Sequence, residues 1–414
     1  MIRKVFFLAC FIIFTSAGIQ AQDTAQFRGL NRDGVYPEKN LLASWPEGGP
    51  AQLWINNEIG NGFGPPAVTS ERVYVTGEID TVGYLFAFDL KGKLLWKSDY
   101  GKEWVMTFPG SRSTPTIVGN LIYVCSGLGN LSCFNAANGS KKWMVDMKKD
   151  LHGQFTLHGH AESPLVDGDQ VFLTPGGSDT NVVALNRFTG KLNWTCKGFG
   201  EIPGYNSPIM INLPSLKILV TFSAYHLMGI DAETGKLLWA HEQINVPLAE
   251  RKPGMGDTHS NSAYYENGYI YYVAGDNNCG TKLKLSEDGK QITQVWNNKA
   301  LDNFMGGFIK IDNHIYTGSE SKRSLICADA NTGQVVDSLK IGSGSLALAD
   351  NMLYYYNQRG EMNLVKPALS KMEFISKFKI TSGTKEHFSH PVIKDGILYI
   401  RRGKALMAYD IRKS

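Results

Sequence analysis

Apolar residues in this chain come in short runs, cut every few positions by Gly, Asn or Asp, and nowhere keep the 3.6-residue period of an amphipathic helix. The runs pair across tight turns. "TPTIVGNLIYV" at 114–124, "SPLVDGDQVFL" at 163–173 and "HPVIKDGILYI" at 390–400 each read as strand, turn, strand, with β-branched and aromatic residues in the second arm. A further phrase recurs along the chain: "AFDLKGKLLW" at 87–96, "CFNAANGSKKW" at 133–143, "ALNRFTGKLNW" at 184–194, "DAETGKLLW" at 231–239 and "ADANTGQVV" at 328–336. Its turn offers Asp or Asn, which can bond its own backbone, and then Gly at 92, 139, 190, 235, 289 or 333, which supplies the positive φ of a tight hairpin.

The strand pair and the phrase together make one four-stranded unit, and the unit repeats. Aligned on the residue that opens the first strand, the repeats begin at Pro66, Pro115, Pro164, Pro208, Ala263, Phe308, Leu346 and Pro391, separated by 49, 49, 44, 55, 45, 38 and 45 residues. A period of this size made only of short strands and turns predicts an all-β fold, an eight-bladed β-propeller of four-stranded blades. Trp96, Trp143, Trp194, Trp239 and Trp296 are then expected to bury their rings between neighbouring blades. The eighth unit stops after its third strand, while "PAQLWINN" at 50–57 is an outer strand with no inner partners and with Trp54 in the tryptophan position. This N-terminal strand is expected to complete the last blade and close the ring, which removes the edges an open ring would expose.

The amino terminus changes the setting. Residues 1–21 place Arg3 and Lys4 before an apolar run from Val5 to Phe14 and reach Ala21 through small and polar residues, the pattern of a secretory signal peptide. The expected organisation is therefore a signal peptide at 1–21, a leader at 22–49 and a single propeller at 50–414, exported to the periplasm or outside the cell. The apolar run continues straight through Cys10, and Phe7, Leu8 and Ala9 make a poor lipobox, which argues against a lipid anchor. No later segment is long and apolar enough to be a spanning helix. Without Arg3 and Lys4 the 42 basic residues fall to 40 against 38 acidic ones, which gives no footprint for a nucleic-acid partner, and a monomer is expected. Five cysteines remain, Cys125, Cys133, Cys196, Cys279 and Cys327, an odd number without metal-type spacing. Cys125 and Cys133 flank "SGLGNLS" on two arms of one hairpin, so either a bridge or two small buried thiols fits them.

The phrase "DAETGKLLW" and its companions resemble the tryptophan-docking repeat of the PQQ-like β-propellers, the quinoprotein alcohol dehydrogenase-like superfamily, over about residues 50–410. That superfamily also holds the propeller lipoprotein of the outer-membrane protein assembly machinery, and the opening "FRGLNRDGVYPEKNLLASWPEGGP" resembles the leader of extracytoplasmic bacterial members. The resemblance implies the fold; it leaves function open, because members include enzymes and binding scaffolds. Its dehydrogenases hold PQQ against a disulfide of two adjacent cysteines, beside Ca²⁺. No two cysteines are adjacent here, so the resemblance does not carry PQQ with Ca²⁺ as a firm expectation.

The repeat also points to a site. Residues just before each innermost strand converge at one mouth of the central channel. Four positions before the aligned residue stand His160, His259 and His387; two positions before it stand Glu162, Asn206 and Asn261; Arg112, Tyr205, Asp257 and His390 share those loops. Three readings follow from these groups: polar side chains that tie loops at blade junctions, a polar mouth for a carbohydrate, peptide or protein, or a catalytic or metal-bearing centre with His as ligand or acid–base and Glu162 with Asn206 or Asn261 holding Ca²⁺. The functional expectation is an exported propeller that binds a small molecule, carbohydrate, peptide or protein at that mouth; a PQQ/Ca²⁺-dependent dehydrogenase or a propeller-based carbohydrate-active enzyme is the alternative.

Overall fold

The structure is a computed structural model that describes residues 24–243, 245–368 and 371–413; the signal peptide expected at 1–21 lies outside the described residues. Eight antiparallel sheets form the ring. Blades 1 to 7 take four consecutive strands each, at 67–102, 116–146, 165–196, 209–242, 264–298, 308–339 and 344–379. Blade 8 takes Val392–Lys394, Ile397–Arg402 and Ala405–Asp410, and its outer strand is Ala51–Asn56, paired antiparallel to Ala405–Asp410. The ring closes as the sequence predicts.

The repeated phrase now has a physical reading. In all eight blades the outermost strand shifts register by one residue beside the tryptophan position, a bulge that turns the side chain along the blade. Each tryptophan then lies on the phrase of the next blade. A Cβ built on Gly92, Gly139, Gly190, Gly235 or Gly333 would fall under 3.0 Å from Trp54, Trp96, Trp143, Trp194 or Trp296 respectively, and these glycines have φ of 72° to 81°. The indole N–H groups of Trp54, Trp143, Trp194, Trp239 and Trp296 donate to carbonyls in that same turn, at 3.0 to 3.1 Å. Glycine and tryptophan recur together because one is the seat of the other. The turn Asp and Asn residues act as expected: Asp89, Asn186, Asp231 and Asp329 each accept two backbone N–H bonds through one side-chain oxygen.

The leader is more than a lead-in. Thr24–Ala25 pairs antiparallel with Thr116–Val118, adding a fifth strand to blade 2 on its channel side. The chain turns through residues 28–34, and Val35 bridges Leu348 of blade 7 in parallel. Inner strands run away from the loop-bearing mouth, so the leader rises along blade 2, turns near that mouth and descends along blade 7. Tyr36, Leu41 and Trp45 then enter the hydrophobic cluster shared by blades 7, 8 and 1. Trp45 packs edge-on against Tyr354 and Phe378 and donates to the Met362 carbonyl at 3.1 Å, in a seam where the blade-7 outer strand lacks a tryptophan of its own. The central channel is therefore filled by the chain's own amino-terminal segment.

Cys125 pairs with Leu131 and Cys133 with Tyr123 across their hairpin, so the two thiols are not opposite each other. Both are free, buried and raised in pKa by burial, Cys133 to about 12. Of the two alternatives for this pair, the bridge is excluded.

Candidate binding site at the channel mouth

The loops before the inner strands converge at one mouth, but period-two geometry decides which side chains meet there. Residues three positions before the aligned residue point inward: Phe63, Arg112, Ala161, Tyr205, Ser260, Met305 and Phe388 all line one cavity of about 290 Å³, and of this ring only Ser343 does not. Residues one position before it, among them Pro65, Ser163, Ser207 and His390, form its deeper wall. Phe108, His158 and Phe304 complete the sides, and Phe27 of the leader forms the floor. The rings make a near-continuous collar. Phe63 and Phe388 are 5.8 Å apart, Phe388 and Phe108 6.2 Å, Phe108 and His158 5.8 Å, His158 and Tyr205 6.0 Å.

The polar residues two and four positions before the aligned residue alternate away from the cavity, which Phe304 and Gly64 of those two columns do reach. His160 packs its ring against Gly129 of blade 2, and its backbone N–H donates to the Gly127 carbonyl. His259 stacks on Phe222 of blade 4 at 4.5 Å and shares a 3.0 Å bond between its Nε2 and the Ala224 carbonyl. His387 bonds the Tyr356 hydroxyl and packs against Gly360 of blade 7. The three imidazoles thus fasten three different seams and do not line the cavity. Burial pushes His160, His259 and His387 each down to about 4. Glu162 accepts from the Thr174 N–H at 2.8 Å, Asn206 from Phe222 N–H at 3.2 Å and Asn261 from Gly307 N–H at 2.8 Å, tying each approach loop to a neighbouring strand. Asp257 holds its own loop through the Gly254 N–H. Of the candidates, Arg112, Tyr205 and His390 reach the cavity; His160, Glu162, Asn206, Asp257, His259, Asn261 and His387 do not.

The chemistry at the mouth is accordingly aromatic, where the sequence suggested a polar funnel. Arg112 brings the cavity's one full positive charge, and its guanidinium donates to the carbonyls of Thr107, Phe108 and Gly110 while lying 6.0 Å from the Phe63 ring. His390 is held neutral: burial, with Arg28 beside it, pushes it down to about 3. Its Nε2 donates to the Met305 carbonyl and its Nδ1 accepts from Arg28, which fixes the tautomer. No carboxylate lines the cavity. Among the described residues no three His, Cys, Asp or Glu side chains gather as a metal-ligand group. Ca²⁺ needs six to eight oxygens and an anionic quinone needs donors to its edge, so this lining does not fit PQQ held beside Ca²⁺. The missed signal was available: Phe63, Tyr205, Met305 and Phe388 share one alignment column, midway between the two columns that carry the polar residues.

Eight blades, tryptophans seated on the next blade's turn glycine and strand closure from the amino terminus define a PQQ-like β-propeller. The chain belongs to the family described as outer membrane protein assembly factor BamB, whose sequence model matches residues 81–338. It is 20% identical over 307 residues to BamB of Shewanella oneidensis, covering 71% of this chain and 68% of that one. It is 26% identical over 251 residues to BamB of Moranella endobia, covering 55% and 58%. Among solved structures, BamB from Moraxella catarrhalis superposes with a TM-score of 0.62 at 10% identity, covering 87% of this chain and 99% of that one. Quinohemoprotein alcohol dehydrogenase from Comamonas testosteroni superposes with a TM-score of 0.65 at 12% identity, covering 95% and 81%. These superpositions establish the fold; the enzyme and the assembly factor share it.

Proposed function

We propose that this protein is an exported, monomeric binding propeller that docks a partner protein at the aromatic mouth of its plugged channel. The observation that carries this reading is the continuity of the cavity with an exposed apolar rim. Phe108 is 48% exposed, Met106 70% and Leu157 44%, and the loops that carry them touch through the Thr107 hydroxyl, which bonds the Leu157 carbonyl and the His158 ring. Monomeric surfaces rarely leave such a cluster wet around a pocket unless something covers it. Membership in a family of assembly factors supports a protein partner over a substrate. Export rests on the pattern at residues 1–21; among the described residues no helix is long and apolar enough to cross a membrane.

A photo-crosslinking residue placed at Met106 or Leu157 in producing cells tests this directly. A discrete protein adduct is expected from the rim and not from Lys394, a partly exposed position at the far end of the blade-8 inner strand. Stoichiometric PQQ and Ca²⁺ binding with alcohol-dependent dye reduction would instead establish the dehydrogenase reading.

A further inference from the structure

We infer that the leader is the selective part of this mouth: Phe27 is a specificity-determining floor that limits the occupant to one aromatic side chain presented by a partner polypeptide. The inference rests on the docking reading above and names the chemistry that docks.

Every other wall of the cavity comes from a loop between blades, whereas the floor comes from the leader. Its position is over-determined. Arg28 and Arg32 on either side of the turn are buried in the channel and donate to carbonyls at the heads of the inner strands, Arg28 to Phe308 at 2.6 Å and Arg32 to Ser163 at 2.9 Å, Pro164 and Pro208. Both adopt the left-handed backbone, φ 60° and 58°, a conformation that persists in non-glycine residues where surrounding contacts impose it and that clusters at functional sites. Arg28 also bonds His390, and the Phe27 ring stands edge-on to that imidazole at 5.1 Å. The floor is therefore locked to blades 6 and 8 and cannot sink to admit a longer group.

The lining sets the class of occupant. Five phenylalanine rings favour another ring in edge or offset contact. With no carboxylate to meet it and Arg112 above, a cationic side chain would lose its water without a partner. The cavity's volume of about 290 Å³ sits at the lower edge of small-molecule sites, which suits one side chain. The source follows from the rim. A free ring would fill the cavity and leave Met106 and Leu157 exposed, whereas a polypeptide carrying the ring covers them.

The test uses the mature protein and a blocked peptide with one 5-fluorotryptophan, read by ¹⁹F NMR titration. The peptide is expected to bind, and its counterpart with Lys in place of the ring to bind at least about tenfold more weakly. Phe27→Trp, which fills the cavity from below, should weaken the peptide about tenfold. Phe27→Ala should shift preference toward a naphthylalanine peptide. Phe27 is partly exposed, so both variants should melt as the parent does. Unchanged affinity and preference in both variants overturn the inference; if Phe63→Ala still weakens the peptide, the docking mouth stands without its leader floor. N-acetyltryptophanamide binding as tightly as the peptide overturns the polypeptide source. A ring that does not bind while rim crosslinks form overturns the aromatic occupant, and loss of both removes the docking reading as well.

Discussion

The guanidinium of Arg28 and the imidazole of His390 stand 362 positions apart in sequence and 3.2 Å apart in the fold. With the Met305 carbonyl on its other nitrogen, His390 joins the leader, blade 8 and blade 6 in one hydrogen-bonded path. A leader clamped in this way should resist proteolysis although it contains two arginines.

Gly307 makes the clamp possible. A Cβ there would lie 1.9 Å from the Arg28 guanidinium, and its φ of 71° already disfavours any side chain. Gly307→Ala should expel Arg28 and cost about 2 kcal/mol or more. Trypsin should then cut after Arg28 and Arg32, sites that stay intact in the parent under the same limited digestion. Equal protection in both proteins would show that the leader is held by its other contacts.

Ring closure gives a second test. Trp54 seats on Gly92 and bonds the Leu90 carbonyl at 3.0 Å, so a single aromatic joins blade 8 to blade 1. Trp54→Ala should lower stability by about 2 to 3 kcal/mol, somewhat below the range for a fully buried ring. Deleting residues 22–57 removes both the closing strand and the channel filling, and should abolish the single cooperative thermal transition.

How much of this was legible depends on whether a residue's role repeats. The blades, their tryptophans and the closing strand repeat, so eight copies of one pattern average out the variation of any single copy, and the period alone defines the ring. The loops before the inner strands do converge at one mouth, and the residues that line it stand one column away from the polar ones. His160 and Glu162 drew the eye as polar groups, yet alternation sends them into seams where burial and backbone donors hold them, while unassuming Phe63 and Met305 face the cavity. The leader was least legible. Arg28 and Arg32 sit among Asn31, Asp33 and two glycines, a composition that reads as exposed loop; only the eight inner strands, with carbonyls directed at the channel, turn those cations into interior ties.

The cysteines should behave as packing residues. Cys125, Cys133, Cys196, Cys279 and Cys327 are all free and buried, and burial raises Cys125, Cys133, Cys196 and Cys327 above the ordinary thiol range. A thiol-specific chromogenic reagent should find none in the native mature protein and all five in denaturant, and a reductant should leave the melting temperature unchanged. A bridge forming during export would instead leave three reactive thiols in the denatured protein and a melting point sensitive to reductant.

Stability should peak slightly below neutral pH, because buried histidines and buried glutamates push in opposite directions. Burial lowers His160 and His259 to about 4 and His390 to about 3, so as pH falls below about 6.5 the unfolded chain takes up protons that the folded one refuses, and stability is lost progressively toward pH 4. Glu103 and Glu162 are the reverse case, raised by burial to about 7 and about 8. Their contribution is complete below about pH 4.5 and fades as pH rises through 7 to 8, where the folded protein must ionise a carboxyl within its interior. Between pH 4.5 and 6.5 these histidines, with His387 also lowered to about 4, outnumber the two glutamates, which predicts a rise in stability with pH; above 6.5 only the glutamates titrate and the curve turns down. Denaturant unfolding from pH 4.5 to 8.5 measures both limbs. Glu162→Gln, which keeps an acceptor for the Thr174 N–H, should flatten the alkaline limb and leave the acidic one in place. An alkaline limb unchanged in that variant would mean that Glu162 is ionised in the folded protein, its charge balanced by Arg32, which bonds the Ser163 and Pro164 carbonyls beside it.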